Sequence, residues 1–332
     1  VFFDELGIPA ADINLNVGSG AHGAMTARMI DGIEQVLLRK EHDVVLLYGD
    51  TNSTLAGAVA AAKLHVPVAH VEAGLRSFNK RMPEEINRIV CDHCSTWLFC
   101  PTDTAVNNLR NEGFRGSNDR APTADLPHVV QSGDVMYDNS LHFAALARER
   151  SAILRDLGLT PGSFVLVTVH RDHNTDDPAR LNAIFGTLLD LHRRHGLAFV
   201  LPVHPRTRKM MDGLLEPSIR QALEGSPGFH LVPPAGFLDM IALESNARLV
   251  ITDSGGVQKE AYFFGRPCVI LRPETEWVEL VERDQAVLAD ADPDRIGTAA
   301  DRYLRDGAPA CPPLFGDGHA AERICNELLR TW

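Results

Sequence analysis

Short apolar runs alternate with helix-forming stretches along this chain, and that alternation limits its fold more than any other feature. The runs at residues 44–48, 164–169 and 248–252 have the length of strands and are almost wholly apolar, as strands buried on both faces are. The stretches between such runs, for example 54–64 and 178–194, carry helical patterns. Strands that alternate with helices indicate parallel sheets covered on both faces, so we predict the α/β fold class.

The alternation occurs in two runs, which are separated near residues 138–157. A chain of 332 residues exceeds the size of about 250–300 residues at which single cores stop growing. We therefore predict two Rossmann-like domains that face each other across a cleft. The remaining predicted elements are strands at 66–71, 96–100, 198–203 and 229–232 and helices at 24–39, 85–94, 141–157 and 257–264.

The charge balance and the hydropathy pattern argue against several classes of function. A net charge of −12 disfavours a nucleic-acid-binding protein, which would carry a basic face. No apolar run approaches the roughly 18 residues that a membrane span requires, and no secretion signal is visible. We therefore expect neither nucleic acid nor a membrane as a partner. The sequence opens at Val1-Phe2-Phe3 without Met, so we expect that an N-terminal segment is missing from it.

The six cysteines are scattered along the chain, and without a secretion signal they indicate a reducing cytoplasm. Cys91 and Cys94 have the spacing of half a zinc site, but no second ligand pair follows at a suitable distance. We interpret them as small apolar residues one turn apart on a buried helix face, and we predict no metal site.

Polar residues that follow predicted strands are the candidates for a ligand site, because open parallel sheets bind ligands beyond the carboxyl ends of their strands. These residues are Asp50, Glu72, His170, His204 and Ser254. A match to the dinucleotide motif, GSGAHG at 18–23, has neither a buried strand before it nor an acid at the required distance. We interpret it as a loop that enters a helix, and we predict no nicotinamide cofactor.

Carboxylates cluster in the first half of the chain. Asp50 and Glu72 each follow an apolar strand, where burial would raise their pKa values. Glu84 and Glu85 begin a predicted helix, where ordinary capping explains acidic residues as well. The two strand-end acids are harder to explain by structure alone, so they favour acid–base chemistry.

The segment TDSGG at 252–256 lies between a buried strand and a helical stretch. Such a turn directs backbone N–H groups and the positive end of a helix at one point, and its glycines allow a phosphate to approach closely. Glu260 follows in the helix, where its carboxylate can accept hydrogen bonds from ribose hydroxyls. The alternative interpretation is a tight turn with a solvated glutamate.

Two His-Arg clusters end strands in the second half of the chain, at His170-Arg171 and at His204-Pro205-Arg206. Their positive charges would suit a departing diphosphate. A structural histidine that caps the strand is the alternative, above all for His204. Neither a Gly-x-Ser-x-Gly segment nor a Walker A segment is present.

Together these segments resemble the non-hydrolysing UDP-N-acetylglucosamine 2-epimerases. The motifs that carry the resemblance are GDT at 49–51, HVEAGLRS at 70–77, PEEINR at 83–88, VHR at 169–171, HP at 204–205, TDSGG at 252–256, Arg272 and ETE at 274–276. They occur in the family's order over nearly the whole chain. The resemblance implies the GT-B fold, with residues 1–141 and a C-terminal helix at 318–332 in the first Rossmann-like domain and residues 142–317 in the second.

The resemblance also implies an activity. The family inverts C2 of a UDP-linked 2-acetamido sugar without a cofactor, by eliminating UDP to a 2-acetamidoglucal and adding it back. Asp50, Glu72 and Glu84 are then the acid–base carboxylates, and His170 lies near the reacting atoms. The implied residues for binding the UDP-sugar are Arg88, His204, Ser254, Gly255, Gly256, Glu260 and Arg272. A homodimer is the implied assembly.

Several positions depart from the family's pattern. Its opening strand with a Gly-Thr-Arg-Pro-Glu segment is absent, and that arginine would help to bind phosphate. His173 replaces the usual Glu after His-Arg, Gln258-Lys259-Glu260 replaces the usual Gln-Glu-Glu, and Met240 stands where an aromatic residue often lies against uracil.

The segment LRPETEWVE at 271–279 differs from the Thr-Glu-Arg-Pro-Glu form of many members. It is similar to a branch that includes epimerases of UDP-2,3-diacetamido-glucuronic acid, whose extra carboxylate requires a basic partner. Arg76, Lys80 and Arg81 are candidates for that partner. We expect UDP-N-acetylglucosamine as the substrate; the alternatives are this uronate, a GT-B glycosyltransferase and a nucleotide-sugar sensor without catalysis.

Overall fold

The structure, a computed structural model, describes residues 7–115 and 121–331. The chain divides into two compact units. The first unit is the chain up to Asp138 together with the segment from Pro313 onwards, and the second is Asn139–Pro312. Residues 1–6, where the expected missing segment would join, and Trp332, the last residue of the predicted C-terminal helix, lie outside the described residues.

The elements alternate as the sequence predicts. The strands are β1 (Val45–Tyr48), β2 (Val68–Val71), β3 (Trp97–Cys100), β4 (His128–Gln131), β5 (Phe164–Thr168), β6 (Ala198–Pro202), β7 (Phe229–Val232), β8 (Leu249–Thr252), β9 (Cys268–Ile270) and β10 (Ala286–Leu288). The helices are α1 (His22–Leu37), α2 (Asn52–Lys63), α3 (Pro83–Cys94), α4 (Asp103–Asn111), α5 (Val135–Arg150), α6 (Ile153–Asp156), α7 (Asp172–Thr175), α8 (Pro178–His195), α9 (Pro205–Leu214), α10 (Pro217–Gly225), α11 (Phe237–Asn246), α12 (Gly255–Phe263), α13 (Val278–Glu282), α14 (Pro293–Asp306) and α15 (Ala320–Thr331). None of the helices in the described part of the chain is long and apolar enough to cross a membrane.

The first unit contains a parallel sheet in the strand order β1-β2-β3-β4. Strands β2 and β3 are buried along their whole length, which explains their apolar sequences. Trp97 and Phe99 of β3 form a core with Ile324 of α15, so the C-terminal helix packs on this sheet. Gly57 of α2 lies against β1 so closely that a Cβ there would be 2.6 Å from Leu47 Cδ2.

The second unit contains a parallel sheet in the order β10-β9-β8-β5-β6-β7. The chain proceeds from β5 outward to β7, then returns to β8 on the other side of β5 and proceeds outward to β10. This doubly wound order leaves a crevice at the carboxyl ends of β5 and β8, where such sheets bind ligands. Leu188, Phe199 and Tyr303 are among the buried residues of the core that supports it.

Two details of the predicted elements were wrong. The helix predicted at 141–157 begins earlier, at Val135, and is interrupted after Arg150 before α6. Ser151 lies at the interruption and donates a hydrogen bond to Asp239 at 2.5 Å, a tertiary contact that no local pattern indicates. The strands β4, β9 and β10 are not among those predicted from the sequence.

Candidate functional site

The carboxyl ends of β5 and β8 are joined by side-chain contacts. The hydroxyls of Thr168 and Thr252, the last residues of these strands, are 2.5 Å apart. Asp253 follows β8 and is fully buried. Its carboxylate accepts hydrogen bonds from the backbone N–H groups of His170 and Arg171, at 3.0 Å each. The turn after β5 is therefore held by an acid from β8.

The Asp253 carboxylate is charged in the folded protein. Burial raises its pKa, but the contact with His170 Nδ1 at 3.0 Å and the amide of Asn174 at 3.1 Å outweigh that effect and hold the pKa below its usual value. Asp253 is not among the site residues predicted from the sequence. The signal was available, since Asp253 follows an apolar strand just as Asp50 and Glu72 do.

A cavity of about 430 Å³ opens at these strand ends, which is within the range of small-molecule sites. Its lining includes His170, His204, Arg206, Met240, Ser254 and Val257. His204 also caps α9, because its ring nitrogen Nδ1 accepts the backbone N–H of Arg206 at 3.4 Å. The structure thus brings His170, His204 and Ser254 to one cavity, and it gives His204 a structural contact as well.

The helix α12 begins at the same place. Ser254 precedes it, and within the described part of the chain the Ser254 side chain makes no capping hydrogen bond to the helix. The first backbone N–H groups of a helix carry partial positive charge and attract anions. A Cβ at Gly255 would lie 2.4 Å from Glu276 Oε1, so a side chain at this first position would displace the Glu276 carboxylate. The turn can therefore present backbone donors to a phosphate at close range.

Two further selected residues lie near this helix. Arg272 is almost fully buried, and its Nη2 is 3.1 Å from Glu276 Oε2. Its Nη1 would be 3.7 Å from a Cβ on Gly255, which places a guanidinium beside the start of α12. Glu260 lies on α12 and is half-buried.

Glu244 of α11 is a buried acid that the sequence analysis did not select. It is 2 % exposed, and its Oε2 has no hydrogen-bond partner among the described residues. Burial, and then the negative charge of Glu260, raise the pKa of Glu244 well above its usual value. Its surroundings therefore favour the protonated form of Glu244.

In the first unit, Asp50 and Glu72 follow the neighbouring strands β1 and β2. Glu72 has a backbone φ of 71°, a strained conformation for a residue with a side chain. Its Oε2 would be 3.3 Å from a Cβ on Gly49, which itself has a φ of 64°. The Glu72 carboxylate therefore lies over the glycine that precedes Asp50.

Arg88 of α3 holds the Asp50 carboxylate, with a distance of 2.5 Å from Nη2 to Oδ2. Burial raises the pKa of Asp50, Arg88 lowers it, and the charges of Glu72 and Glu84 raise it again, with the result above the ordinary value. The structure thus brings the three selected carboxylates within electrostatic reach of one another. A group of this kind can exchange a proton near neutral pH more readily than a free aspartate.

The adjacent acids at the start of α3 differ in their surroundings. Glu84 is exposed, whereas Glu85 is 1 % exposed. Glu85 accepts the backbone N–H groups of Ser77 and Phe78, at 2.9 Å each, and pairs with Arg88 Nη1 at 2.6 Å. Glu85 therefore supports the loop before α3, and Glu84 remains accessible.

His70 of β2 clamps the two strand ends together. Its Nε2 is 2.8 Å from the Gly49 carbonyl oxygen and its Nδ1 is 2.7 Å from Asp92 Oδ1. Asp92 also accepts from Arg76 Nη1 at 2.8 Å and from the Gly74 N–H at 3.1 Å, so it is ionised. Both ring nitrogens face acceptors, so both must donate and the ring is an imidazolium. Burial lowers the pKa of His70, but Asp92 outweighs it and the pKa is well above the ordinary value.

The same contacts determine whether Arg76 is available to bind the extra carboxylate of a uronate substrate. Arg76 is 4 % exposed and pairs with Asp92 and, at 2.6 Å, with Glu112. Its charge is therefore compensated inside the first unit, whereas Lys80 and Arg81 are exposed. Among the described residues no group of three or more His, Cys, Asp or Glu side chains is arranged to hold a metal ion.

Comparison with known proteins places this arrangement in context. The sequence profile described as UDP-N-acetylglucosamine 2-epimerase matches residues 1–329. The UDP-2,3-diacetamido-2,3-dideoxy-D-glucuronate 2-epimerase of Pseudomonas aeruginosa is 46 % identical over 99 % of this chain and 87 % of its own length. The UDP-N-acetylglucosamine 2-epimerase of Methanocaldococcus jannaschii is 38 % identical over 99 % of this chain and 86 % of its own length. The crystal structure of the latter enzyme with UDP-GlcNAc and UDP has a TM-score of 0.83 and 37 % identity, over 99 % of this chain and 87 % of that one.

Proposed function

This chain belongs to the UDP-N-acetylglucosamine 2-epimerase family and has its GT-B fold, and we propose that it interconverts UDP-N-acetylglucosamine and UDP-N-acetylmannosamine. The observation that carries this proposal is the carboxylate group of the first unit. Asp50 has a raised pKa because of its burial and the charges of Glu72 and Glu84. Inversion of a C–H centre requires an acid and a base on opposite faces, and such carboxylates suit both roles.

The chemistry explains why several groups are needed. C2 has no adjacent carbonyl, so its proton is not acidic enough for direct removal. When the C1–O bond breaks, its electron pair leaves with UDP, and the C2–H electrons form the C1=C2 double bond while a carboxylate takes the proton. UDP then returns to C1 and a carboxylic acid protonates C2 from the opposite face. Neither step transfers a hydride, so this route does not use a nicotinamide.

We assign the acid–base roles to Asp50, Glu72 and Glu84. Arg88 holds the Asp50 carboxylate in position through its contact at 2.5 Å. His170 lies at the reacting end. Acid–base assistance supplies about 10²–10⁴-fold, so stabilisation of the departing diphosphate by fixed donors is the larger contribution.

We assign the binding of UDP to the second unit. Gly255 and Gly256 donate backbone N–H groups to the diphosphate at the start of α12. Ser254 offers its hydroxyl instead, because its own N–H donates to Thr252 Oγ1 at 2.9 Å. Glu260 accepts from the ribose hydroxyls. Arg272 and His204 contribute to the nucleotide region, which is supported by the burial of Arg272 beside Gly255 and by the position of His204 in the cavity wall.

Turnover of UDP-N-acetylglucosamine in D₂O, followed by NMR, tests the reaction. We expect loss of the H2 signal, deuterium at C2 in both epimers, and an anomeric carbon still linked to UDP. Product without deuterium at C2 would exclude the elimination mechanism. Release of free N-acetylmannosamine would indicate a hydrolysing epimerase. Transfer of the sugar only when an acceptor is present would indicate a glycosyltransferase. Binding of the UDP-sugar without exchange of its C2 proton would indicate a sensor.

A UDP-2,3-diacetamido-uronate is the second candidate substrate. It is favoured by the 46 % identity to a relative whose name includes that sugar. Direct competition of the two sugars, expressed as kcat/KM, decides between them. A preference of tenfold or more for the uronate that is lost in Arg81→Ala would replace our first choice. Arg155→Ala, which removes an exposed arginine of the second unit, is the control and should leave the preference unchanged.

We also propose that the protein is a homodimer located in the cytoplasm. The dimer rests on the family resemblance, and the location on six cysteines that are free thiols, as expected in a reducing compartment. Light scattering at working concentration should return twice the chain mass of 36.4 kDa. A monomer mass, or recovery of the protein outside the cytoplasmic fraction, would contradict these two proposals respectively.

A further inference from the structure

Two departures from the family's common motifs meet in the second unit. Lys259 stands where the Gln-Glu-Glu form has its first glutamate, and Trp277 stands where the Thr-Glu-Arg-Pro-Glu form has arginine. The Lys259 ammonium lies over the Trp277 ring, 4.1 Å from its centre. Lys259 is 1 % exposed and Trp277 is 5 % exposed. The contact is therefore a buried cation–π pair, which is stronger than an exposed one.

The pair belongs to a set of contacts that attaches the loop after β9 to α12. The indole Nε1 of Trp277 donates to the Gly255 carbonyl oxygen at 3.0 Å. Thr275 Oγ1 accepts the backbone N–H of Trp277 at 3.1 Å and donates to Gln258 Oε1 at 2.6 Å. The loop is thus fastened to the helix at Gly255, at Gln258 and at Lys259.

The helix α12 and the loop after β9 carry the groups that we assign to binding of the diphosphate. Gly255 is the first residue of α12, and Arg272 lies earlier in the same loop as Trp277. A change in the tilt of the indole would move the Gly255 carbonyl and the loop together. The distance between the backbone donors of the turn and the Arg272 guanidinium would change as a result.

The position of Lys259 is electrostatically unusual. Lys259 is the fifth of the nine residues of α12, and its side chain is buried away from solvent. The face of the Trp277 ring is negative and compensates a desolvated ammonium.

We propose that Lys259 and Trp277 are positioning residues for the binding of UDP. The ammonium holds the indole so that its N–H fixes the Gly255 carbonyl, and this contact orients the backbone donors of the turn relative to Arg272. This inference rests on the proposed UDP site.

A charge-exchange cycle tests the proposal by calorimetric titration with UDP. Lys259→Glu sets an anion against the ring, and Trp277→Arg sets a second cation against Lys259. Each single change should weaken UDP binding about tenfold, which corresponds to about 1.4 kcal/mol. The double variant restores an opposite pair and should bind within about threefold of wild type. Losses that multiply in the double variant, or single variants that bind as wild type does, would overturn the proposal.

A more conservative substitution tests the proposal if the charge-exchange variants do not fold. Trp277→Phe keeps a ring beneath Lys259 and removes the N–H, so UDP affinity should fall about threefold while the melting temperature changes little. Trp97→Phe, the same change at a buried tryptophan of the first unit, is the control and should leave UDP affinity unchanged. Equal UDP affinity in Trp277→Phe and wild type would refute the positioning role. A wild-type protein that binds no UDP would refute the UDP site itself.

Discussion

Asp50 in the first unit and Asp253 in the second unit occupy similar places, since each lies at the carboxyl end of a parallel strand. Their surroundings give them opposite properties. Asp253 is fully buried and accepts hydrogen bonds from two backbone N–H groups and the Asn174 amide, and its pKa is lowered. Asp50 is partly exposed, has Arg88 as its cationic partner and lies near the charges of Glu72 and Glu84, and its pKa is raised.

The difference separates a supporting acid from a reactive one. A carboxylate that is bound by several donors stays charged and fixes their positions. A carboxylate near other carboxylates changes its protonation state more easily, which is the property that proton transfer requires. Position after a strand is therefore insufficient to assign a role, and the number of donors around the carboxylate is the additional criterion.

The largest effect is expected for Asp50→Asn in turnover. The amide cannot accept or return a proton, so kcat should fall by about 10²-fold or more, and Glu84→Gln should act similarly. The free energy of unfolding should change little, because a raised pKa means that the charge of Asp50 is disfavoured in the folded state. Steady-state kinetics and urea denaturation measure the two effects.

Asp156→Asn is the control for that comparison, because Asp156 is an exposed acid with a surface ion pair to Arg155. Its turnover should equal that of wild type. Wild-type kcat in both Asp50→Asn and Glu84→Gln would remove these residues from the chemistry.

Asp253→Asn should have the opposite pair of effects: it should lower the free energy of unfolding and have little direct effect on proton transfer. The loss of a charged acceptor should lower the free energy of unfolding by about 1.5–3 kcal/mol. Because the folded pKa of Asp253 lies below the ordinary aspartate value of 3.8, this contribution is present above that pH and is lost as the pH falls through the folded pKa. Urea denaturation at a series of pH values measures it, and an equal difference between variant and wild type at all pH values would contradict the assignment.

Glu260→Ala sharpens the comparison within the second unit, since Glu260 is an acid proposed to bind ligand there rather than to support a turn. The loss of charged hydrogen bonds to ribose should weaken UDP binding by about tenfold, or about 1.4 kcal/mol. Calorimetry with UDP measures the change. Phosphate-only ligands such as pyrophosphate should bind the variant and wild type alike, and unchanged UDP affinity would reject the ribose assignment.

The smallest effect concerns Glu244, a buried acid of the second unit whose pKa lies well above the ordinary glutamate value of 4.5. Its folded form binds a proton that the unfolded form releases, so the chain is less stable as the pH rises through the folded pKa. Glu244→Gln removes this cost and should raise the melting temperature at pH 8 by about 2–4 °C. The gain should disappear below about pH 4.5, where Glu244 is protonated in both the folded and the unfolded chain. A gain that is independent of pH would show that titration of Glu244 is not its cause.

The alternation of apolar runs and helical patterns was sufficient to predict the α/β class, and the strand at 229–232 was predicted with its correct bounds. The reason is that strands such as β5 and β8 are buried on both faces, and burial leaves a local mark in composition. The break at Ser151 could not be predicted, because its partner Asp239 is distant in the chain.

The sequence by itself determined seven of the ten described strands and the polar residues that follow them, since both depend on neighbours along the chain. It could not determine that β8 returns to the side of β5, which makes the crevice with Thr168 and Thr252 at its base. Nor could it show that His70 joins Gly49 to Asp92, or that Lys259 lies on Trp277. Strand order and the charge of a buried group depend on contacts between distant segments, and only the tertiary structure brings those segments together.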